Sequence, residues 1–443
     1  MDHQIIGTND FKARYSRAKE IMYEKDVDAL CLTPSSDMLY FTGFQTEPSE
    51  RILLCILPRS DEPRFIVPKL YQEQVERETW IDDVRVWSEE GKLIIQLRNH
   101  LKELELFSGK IAISDRLWTR HYRFLQETAP KVRFTWASEI VSQIRMLKSR
   151  KEIYLMEEAA RFAEWALEAT LSDCIQGKKE CELAAKLEYQ MRVRGSEGVP
   201  FETIVASGPN SSVPHYSNGR RRVKIGDPLV LDLGAKFGHY CSDLTRTAII
   251  GYAKPKINKI YDLVHQAYQK AVETVRPGVT AAAIDQAARG VIIEGGHGEQ
   301  FIHRTGHGIG LDVHESPYVH EKDQTVLEIG MTFSIEPGIY LPGQFGVRIE
   351  DVVVVTKNGC RTLTKYPTEM TVFGIRASNG FDRSKCESPR GYSRAHSVKL
   401  SHNPRLYQSS SLACGQVRIS FPHSSPQQHQ RMACHRRRYN PLA

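Results

Sequence analysis

No apolar run in this chain exceeds about seven residues, against the roughly 20 that a membrane-spanning helix needs. The first residues, Met1-Asp2-His3-Gln4, hold neither the basic stretch nor the apolar core of a secretory leader. Nine cysteines occur without a single CxxC pair, so neither a disulfide framework nor a thiolate zinc site is written into their spacing. The first 140 or so residues contain no glycine-rich phosphate loop and no clustered His, Cys or carboxylate. These absences exclude a membrane span and point to a soluble, cytoplasmic protein. At 443 residues, with 41% hydrophobic and 26% charged residues, the chain has an ordinary globular composition and length for two domains.

Acidic charge is scarce at one end only. Residues 374–443 carry 12 Lys and Arg against Asp382 and Glu387, a net +10, whereas the whole chain is +7. The first 373 residues are therefore slightly acidic. The basic end has little aromatic interleaving and no recognisable nucleic-acid module, so nucleic acid is not an expected partner. Its Leu, Ile, Val and Phe content is about 14%, below the level of about 20% that supports a core, which predicts a disordered tail.

The rest of the chain reads as two textures. Over 1–140, β-type runs at 29–32, 51–57, 64–67, 84–87, 110–114 and 132–136 alternate with helical spacing at 71–79, 92–106 and 117–128, which predicts an α/β domain. A charged helical stretch, 138–151, leads into a second domain over 141–373. There helices are expected at 151–171, 180–193, 258–275 and 281–294, with strands and glycine-containing turns from Phe201 onward and at 332–340 and 346–355. This is an α+β pattern.

The chemistry lies in that second domain. Asp232 sits in LDLG and Asp243 in SDLTRT; a hairpin turning at 236–238 would set them nearly opposite, with Cβ atoms roughly 5 Å apart. Glu336 in SIEPG and Glu350 in VRIED would be brought together by a hairpin through Pro342-Gly343. Two close carboxylates among apolar neighbours repel unless a proton or a cation is shared between them. Between the two pairs, His307 in RTGHGIG is flanked by glycines that allow close backbone approach. Singly, each residue could be a turn Asp, a solvated Glu or a loop His. As a set in one domain they predict a metal centre.

The five residues and their contexts resemble the dimetal site of the pita-bread metallopeptidases, in the branch of creatinase, prolidase and aminopeptidase P. The resemblance runs over residues 10–372, and the first domain resembles the creatinase-type N-terminal domain. It implies that Asp232, Asp243, His307, Glu336 and Glu350 bind two divalent metal ions, with Asp243 and Glu350 bridging them. An oxygen-rich donor set favours Mn(II), with Co(II), Fe(II) or Zn(II) as alternatives. A water shared by the ions would attack the scissile carbonyl.

Further roles follow from the resemblance. Glu336 would shuttle the proton, and His215 (in VPHY) and His314 (in DVHE) would line the substrate site as catalytic residues. Arg348, two residues before Glu350, would face the same side and orient a ligand carboxylate. The implied substrate is a short peptide with proline second, an amide that ordinary peptidases handle poorly because it lacks an N–H. A prolidase-like Xaa-Pro dipeptidase comes first and an aminopeptidase P-type enzyme second. A creatinase-like C–N hydrolase and a non-enzymatic binding module on the same fold remain open. The family resemblance also implies a homodimer. His297 and His303 receive no role beyond shaping their loop.

Overall fold

The computed structural model describes residues 5–88, 93–173 and 175–373; the expected disordered tail, 374–443, lies outside them. The first part folds in the order α1 (Thr8–Glu24), β1 (Ala29–Leu32), α2 (Ser36–Thr42), β2 (Leu54–Pro58), β3 (Arg64–Pro68), α3 (Gln72–Glu78), β4 (Asp83–Trp87), α4 (Leu93–Glu103), β5 (Ser108–Ile113), α5 (Thr119–Thr128) and β6 (Lys131–Trp136). Its six strands form one mixed sheet, β4-β3-β2-β1-β5-β6. The helix–strand alternation of the sequence is thus realised as an α/β layer.

The helical stretch expected at 138–151 is broken. α6 (Ser138–Arg145) stops, and α7 (Arg150–Leu171) restarts after Ser149. Ser149 Oγ accepts from the Glu152 backbone N–H at 3.3 Å while Glu152 Oε2 accepts from the Ser149 N–H at 2.7 Å. This reciprocal cap satisfies donors that a continuous helix would have used internally, so S-x-x-E marks a new start.

The second part continues with α8 (Glu180–Val193), β7 (Ile204–Ser207), β8 (Pro228–Leu233), β9 (Lys236–Phe237), β10 (Tyr240–Cys241), β11 (Leu244–Ile250), α9 (Pro255–Thr274) and α10 (Ala281–Glu294). Strands complete it: β12 (Gly306–Gly308), β13 (Glu315–Val319), β14 (Thr332–Ile335), β15 (Gly338–Leu341), β16 (Phe345–Arg348), β17 (Glu350–Thr356), β18 (Gly359–Thr362) and β19 (Thr371–Phe373). A nine-stranded sheet runs β13-β12-β14-β17-β11-β8-β7, with β18 on β17 and β19 on β11.

Period-two alternation decides which face carries chemistry. On β8, Leu229, Leu231 and Leu233 bury in a core shared with Leu167 of α7 and Leu187 of α8, so Asp232 points the other way. A second helix pair, α9 and α10, covers β14 and β17 through Tyr261, Val264, Ile284, Phe333 and Val353. A third core is common to both parts of the chain, joining Phe11, Met38 and Leu39 to Met156, Ile309, Leu311 and Val352. No described helix is long and apolar enough to cross a membrane.

Candidate metal centre

Two hairpins aim the four carboxylates. Glu336 and Glu350 stand in register: Ile335 pairs with Asp351 on one side and Gly338 with Arg348 on the other, as a turn through Pro342-Gly343 requires. The other hairpin is shifted from the expected register. Asp232 faces Thr245, and Asp243 lies two residues before that partner, on the diagonal. The cause is the turn itself, which falls at Gly238-His239 and not at 236–238. Both residues have positive φ, 53° and 68°, and Phe237 pairs with Tyr240. A two-residue turn of this kind matches the strand twist and moves every facing pair by two residues.

The glycines around His307 serve close approach. A Cβ on Gly306 would lie 1.8 Å from Ser334 O, and one on Gly308 would lie 2.2 Å from Ser316 O. β12 can therefore press between β13 and β14, and the His307 N–H donates to Ser334 Oγ at 3.0 Å. Beneath it, Thr305 Oγ1 donates to the buried Asp285 at 2.7 Å, and Asp285 is neutralised by Arg289 at 2.8 Å.

These elements converge on a cavity of about 390 Å³ lined by Asp232, Asp243, His307, Glu336 and Glu350 together with His215, His314, Arg304 and Arg348. Donor atoms of Asp243, His307 and Glu350 lie within 4.8 Å of one another. His307 Nε2 is 3.6 Å from Asp243 Oδ2 and 3.4 Å from Glu336 Oε1. His307 Nδ1 is 3.1 Å from Gly308 O, a contact that needs the proton on Nδ1 and leaves the Nε2 lone pair facing the acids. Burial, with His314 next to it, pushes His307 down to about 3, so the ring is neutral.

The acids are not balanced by protein. Burial pushes Glu336 up to about 7, with Arg348 pulling the other way. Asp243 is pushed well above the usual carboxylate range by burial and by Asp232, and Glu350 by burial and by Asp243. Arg348 Nη2 donates to Asp232 Oδ2 at 2.6 Å, but Asp232 Oδ1 is buried with no hydrogen-bond partner. Three buried carboxylates and the partly buried Glu336, one buried guanidinium, a neutral imidazole with a free lone pair and an orphaned carboxylate oxygen make a donor set that a pair of divalent cations fits.

Arg348 meets two of the candidate ligand carboxylates, one directly and one through a hydroxyl. It grips Asp232 and meets Glu350 through Thr245: Arg348 Nε donates to Thr245 Oγ1 (3.3 Å), which donates to Glu350 Oε2 (2.5 Å). Sequence reasoning passed over Tyr340, whose Oη accepts from Arg348 Nη1 and lies 2.9 Å from His303 Nε2. His303 Nδ1 meets Arg304 O at 2.7 Å, so Nε2 accepts from the Tyr340 hydroxyl, and burial holds His303 down to about 4. The pairing of Gly338 with Arg348 was the available signal, because it places Tyr340 beside Gly346 on the same hairpin. His215 lies exposed on the turn after Ser212, and His314 packs edge-on to His307 with ring centroids 4.3 Å apart. Partial burial and the Arg304 charge hold His314 below the ordinary imidazole value. His297 faces Gln300, 3.2 Å away, and does not line this cavity.

Residues 154–357 match metallopeptidase family M24, and residues 14–147 match the creatinase/prolidase N-terminal domain. An Xaa-Pro dipeptidase of Pyrococcus horikoshii is 38% identical over 354 residues, covering 79% of this chain and 96% of that protein. Among solved structures, a prolidase of Thermococcus sibiricus aligns with a TM-score of 0.79 at 35% identity, over 83% of this chain and 100% of that one. An X-Pro aminopeptidase of Thermotoga maritima aligns at 0.72 and 33%, over 81% and 99%. The chain belongs to metallopeptidase family M24, with a creatinase/prolidase N-terminal domain ahead of a pita-bread catalytic domain.

Proposed function

We propose that the protein is a cytoplasmic, homodimeric Xaa-Pro dipeptidase that works with two Mn(II) ions. The observation that carries this reading is the set Asp232, Asp243, His307, Glu336 and Glu350 around one small cavity, four of them buried and Glu336 partly so, with Asp232 Oδ1 unpartnered. These five side chains would hold the ions, which when bound make water nucleophilic near neutral pH and polarise a carbonyl. Glu336 has the position and proton affinity to take a proton from water at the cavity floor and deliver it to the departing proline nitrogen. His314, at the cavity wall, donates to the developing oxyanion, and His215 on the rim holds the substrate. Arg348 fixes Asp232 and, through Thr245, Glu350.

Two features support a dipeptide over a longer peptide. The cavity is at the small end of the range of about 300–1,000 Å³ for small-molecule sites. Arg304 lines it, stacked 4.6 Å from the Tyr318 ring, and has no hydrogen-bonded or ion-paired acid among the described residues, so a free proline carboxylate can supply its anion. Likeness to an X-Pro aminopeptidase supports the second reading, in which no carboxylate is required.

The test is to strip the protein with a chelator, restore Mn(II), Co(II), Fe(II) or Zn(II), and assay Ala-Pro, Ala-Pro-amide and Ala-Pro-Gly. Preference for Ala-Pro, greatest with Mn(II), is expected. Equal cleavage of all three would give the aminopeptidase reading, and no cleavage with any metal would remove both.

A further inference from the structure

Among its described residues the N-terminal domain, which the family match carries to residue 147, holds no chemistry-bearing cluster of its own, yet its last helix, α6, ends in a buried cation that bridges three acids. Arg145, at the end of α6, is 9% exposed on its side chain. Its Nη1 donates to Asp37 on α2 at 2.6 Å; its Nη2 donates to Asp312 Oδ2 at 2.9 Å and also to Glu315. Asp312 takes further bonds from Ser36 Oγ (2.8 Å) and Arg116 Nη1 (2.9 Å), both from the first domain. Lys148 Nζ, in the link between α6 and α7, donates to Glu315 Oε1 at 2.5 Å. Three acids thus meet three cations, and the cluster is neutral.

What the cluster holds is a six-residue excursion of the catalytic sheet. Between β12 and β13 the register jumps, Gly308 facing Glu315, so residues 309–314 lie outside the pairing of these two strands. Ile309 and Leu311 bury in the core shared with Met38 and Leu39, and the Cys241 N–H donates to Gly310 O at 2.8 Å. His314 is one of the two residues between the gripped acids: Asp312 lies two before it and Glu315 one after. The grip therefore fixes the chain on both sides of the ring that packs against His307. An arginine suits this task because its planar fork fixes directions to several carboxylates at once, which a lysine ammonium cannot.

We propose that Arg145 is a positioning residue for His314, so that the first domain takes part in catalysis by clamping the Asp312–Glu315 segment. This rests on the reading of His314 as the oxyanion donor. Misplacing a reacting group by about 1 Å costs on the order of 100-fold.

The experiment measures kcat, KM and bound Mn(II) per chain for Ala-Pro in wild type, Arg145→Met, Arg145→Lys and Asp312→Asn. Each variant is also placed in the His314→Ala background. The expected result is a fall in kcat of about 10- to 100-fold for Arg145→Met and Asp312→Asn, with KM and metal content close to wild type. Arg145→Lys should recover only part of the loss. In the His314→Ala background the same substitutions should change kcat by less than about twofold, because the residue they position is gone. Losses that multiply in that background, or metal lost in step with activity, would overturn the proposal. Asp312→Asn keeps side-chain volume and half the network, so it serves if Arg145→Met fails to fold. An inactive wild type would refute the dipeptidase reading, a result distinct from either outcome above.

Discussion

Asp232 and Arg348 illustrate how a buried acid is kept usable. One carboxylate oxygen is spent on Arg348 Nη2 at 2.6 Å and the other is left bare toward the cavity. Removing the guanidinium leaves an uncompensated buried charge, which typically costs about 3–5 kcal/mol. Arg348→Met should therefore lower denaturant stability of the chelated protein by about that amount, while Tyr340→Phe, which loses one hydroxyl, should cost about 1 kcal/mol. Near-equal losses would show that Arg348 is not the charge anchor of the hairpin. The two neighbouring imidazoles should separate by assay. His307→Ala should lose bound metal, whereas His314→Ala should keep it and drop kcat by about 10²–10³-fold, the range for an oxyanion donor. Equal metal content and equal activity loss in the two variants would contradict that division. Asp243→Ala and Glu350→Ala should both abolish turnover at limiting Mn(II).

At the level of elements, β12 is the tightest fit around the site. Gly306→Ala would drive a methyl into the Ser334 carbonyl, a backbone atom that β14 cannot move without breaking its pairing with β17. A destabilisation of about 3 kcal/mol, the upper end for overpacking, and loss of metal are expected from calorimetry and metal analysis. The same elements show what the sequence made legible. The apolar neighbours of Asp232 and Asp243 marked them as buried acids, and Pro342-Gly343 set Glu336 against Glu350 in their observed register. The Asp232–Asp243 register was misjudged because His239 at a φ of 68° is a conformation that side chains rarely adopt, and nothing in its type announces it. The break at Ser149 was readable from S-x-x-E but lay inside an unbroken run of helix formers. The Arg145 cluster was beyond reach. Its partners lie 108, 167 and 170 residues apart, and such pairings are decided by the docking of two folded layers and not by local pattern.

On the scale of the whole molecule, the described core closes at β19, where Thr371, Val372 and Phe373 pair with Ala248, Ile249 and Ile250. Truncation after Phe373 should leave the melting temperature, metal content and activity nearly unchanged and weaken binding to polyanions, whereas ending the chain at Met370 should lower the melting temperature by stripping a strand from β11. The charge of the centre adds a pH dependence that the full protein must obey. Asp243 and Glu350 sit well above the ordinary carboxylate range, and Glu336 at about 7 against its usual 4.5. Between those two values an unfolded carboxylate is ionised while its folded counterpart still holds its proton. The native state then binds more protons than the unfolded state, and stability of the metal-free protein falls as pH rises through this window. Cations reverse the sign, because they bind the ionised acids and must displace those protons; affinity should climb by up to about tenfold per pH unit for each proton released. The gap in melting temperature between Mn(II)-saturated and chelated protein should therefore be small near pH 5 and widen steadily toward pH 8. If the gap were constant across that range, the acids would already be ionised without metal, and the cavity would owe its balance to some other cation.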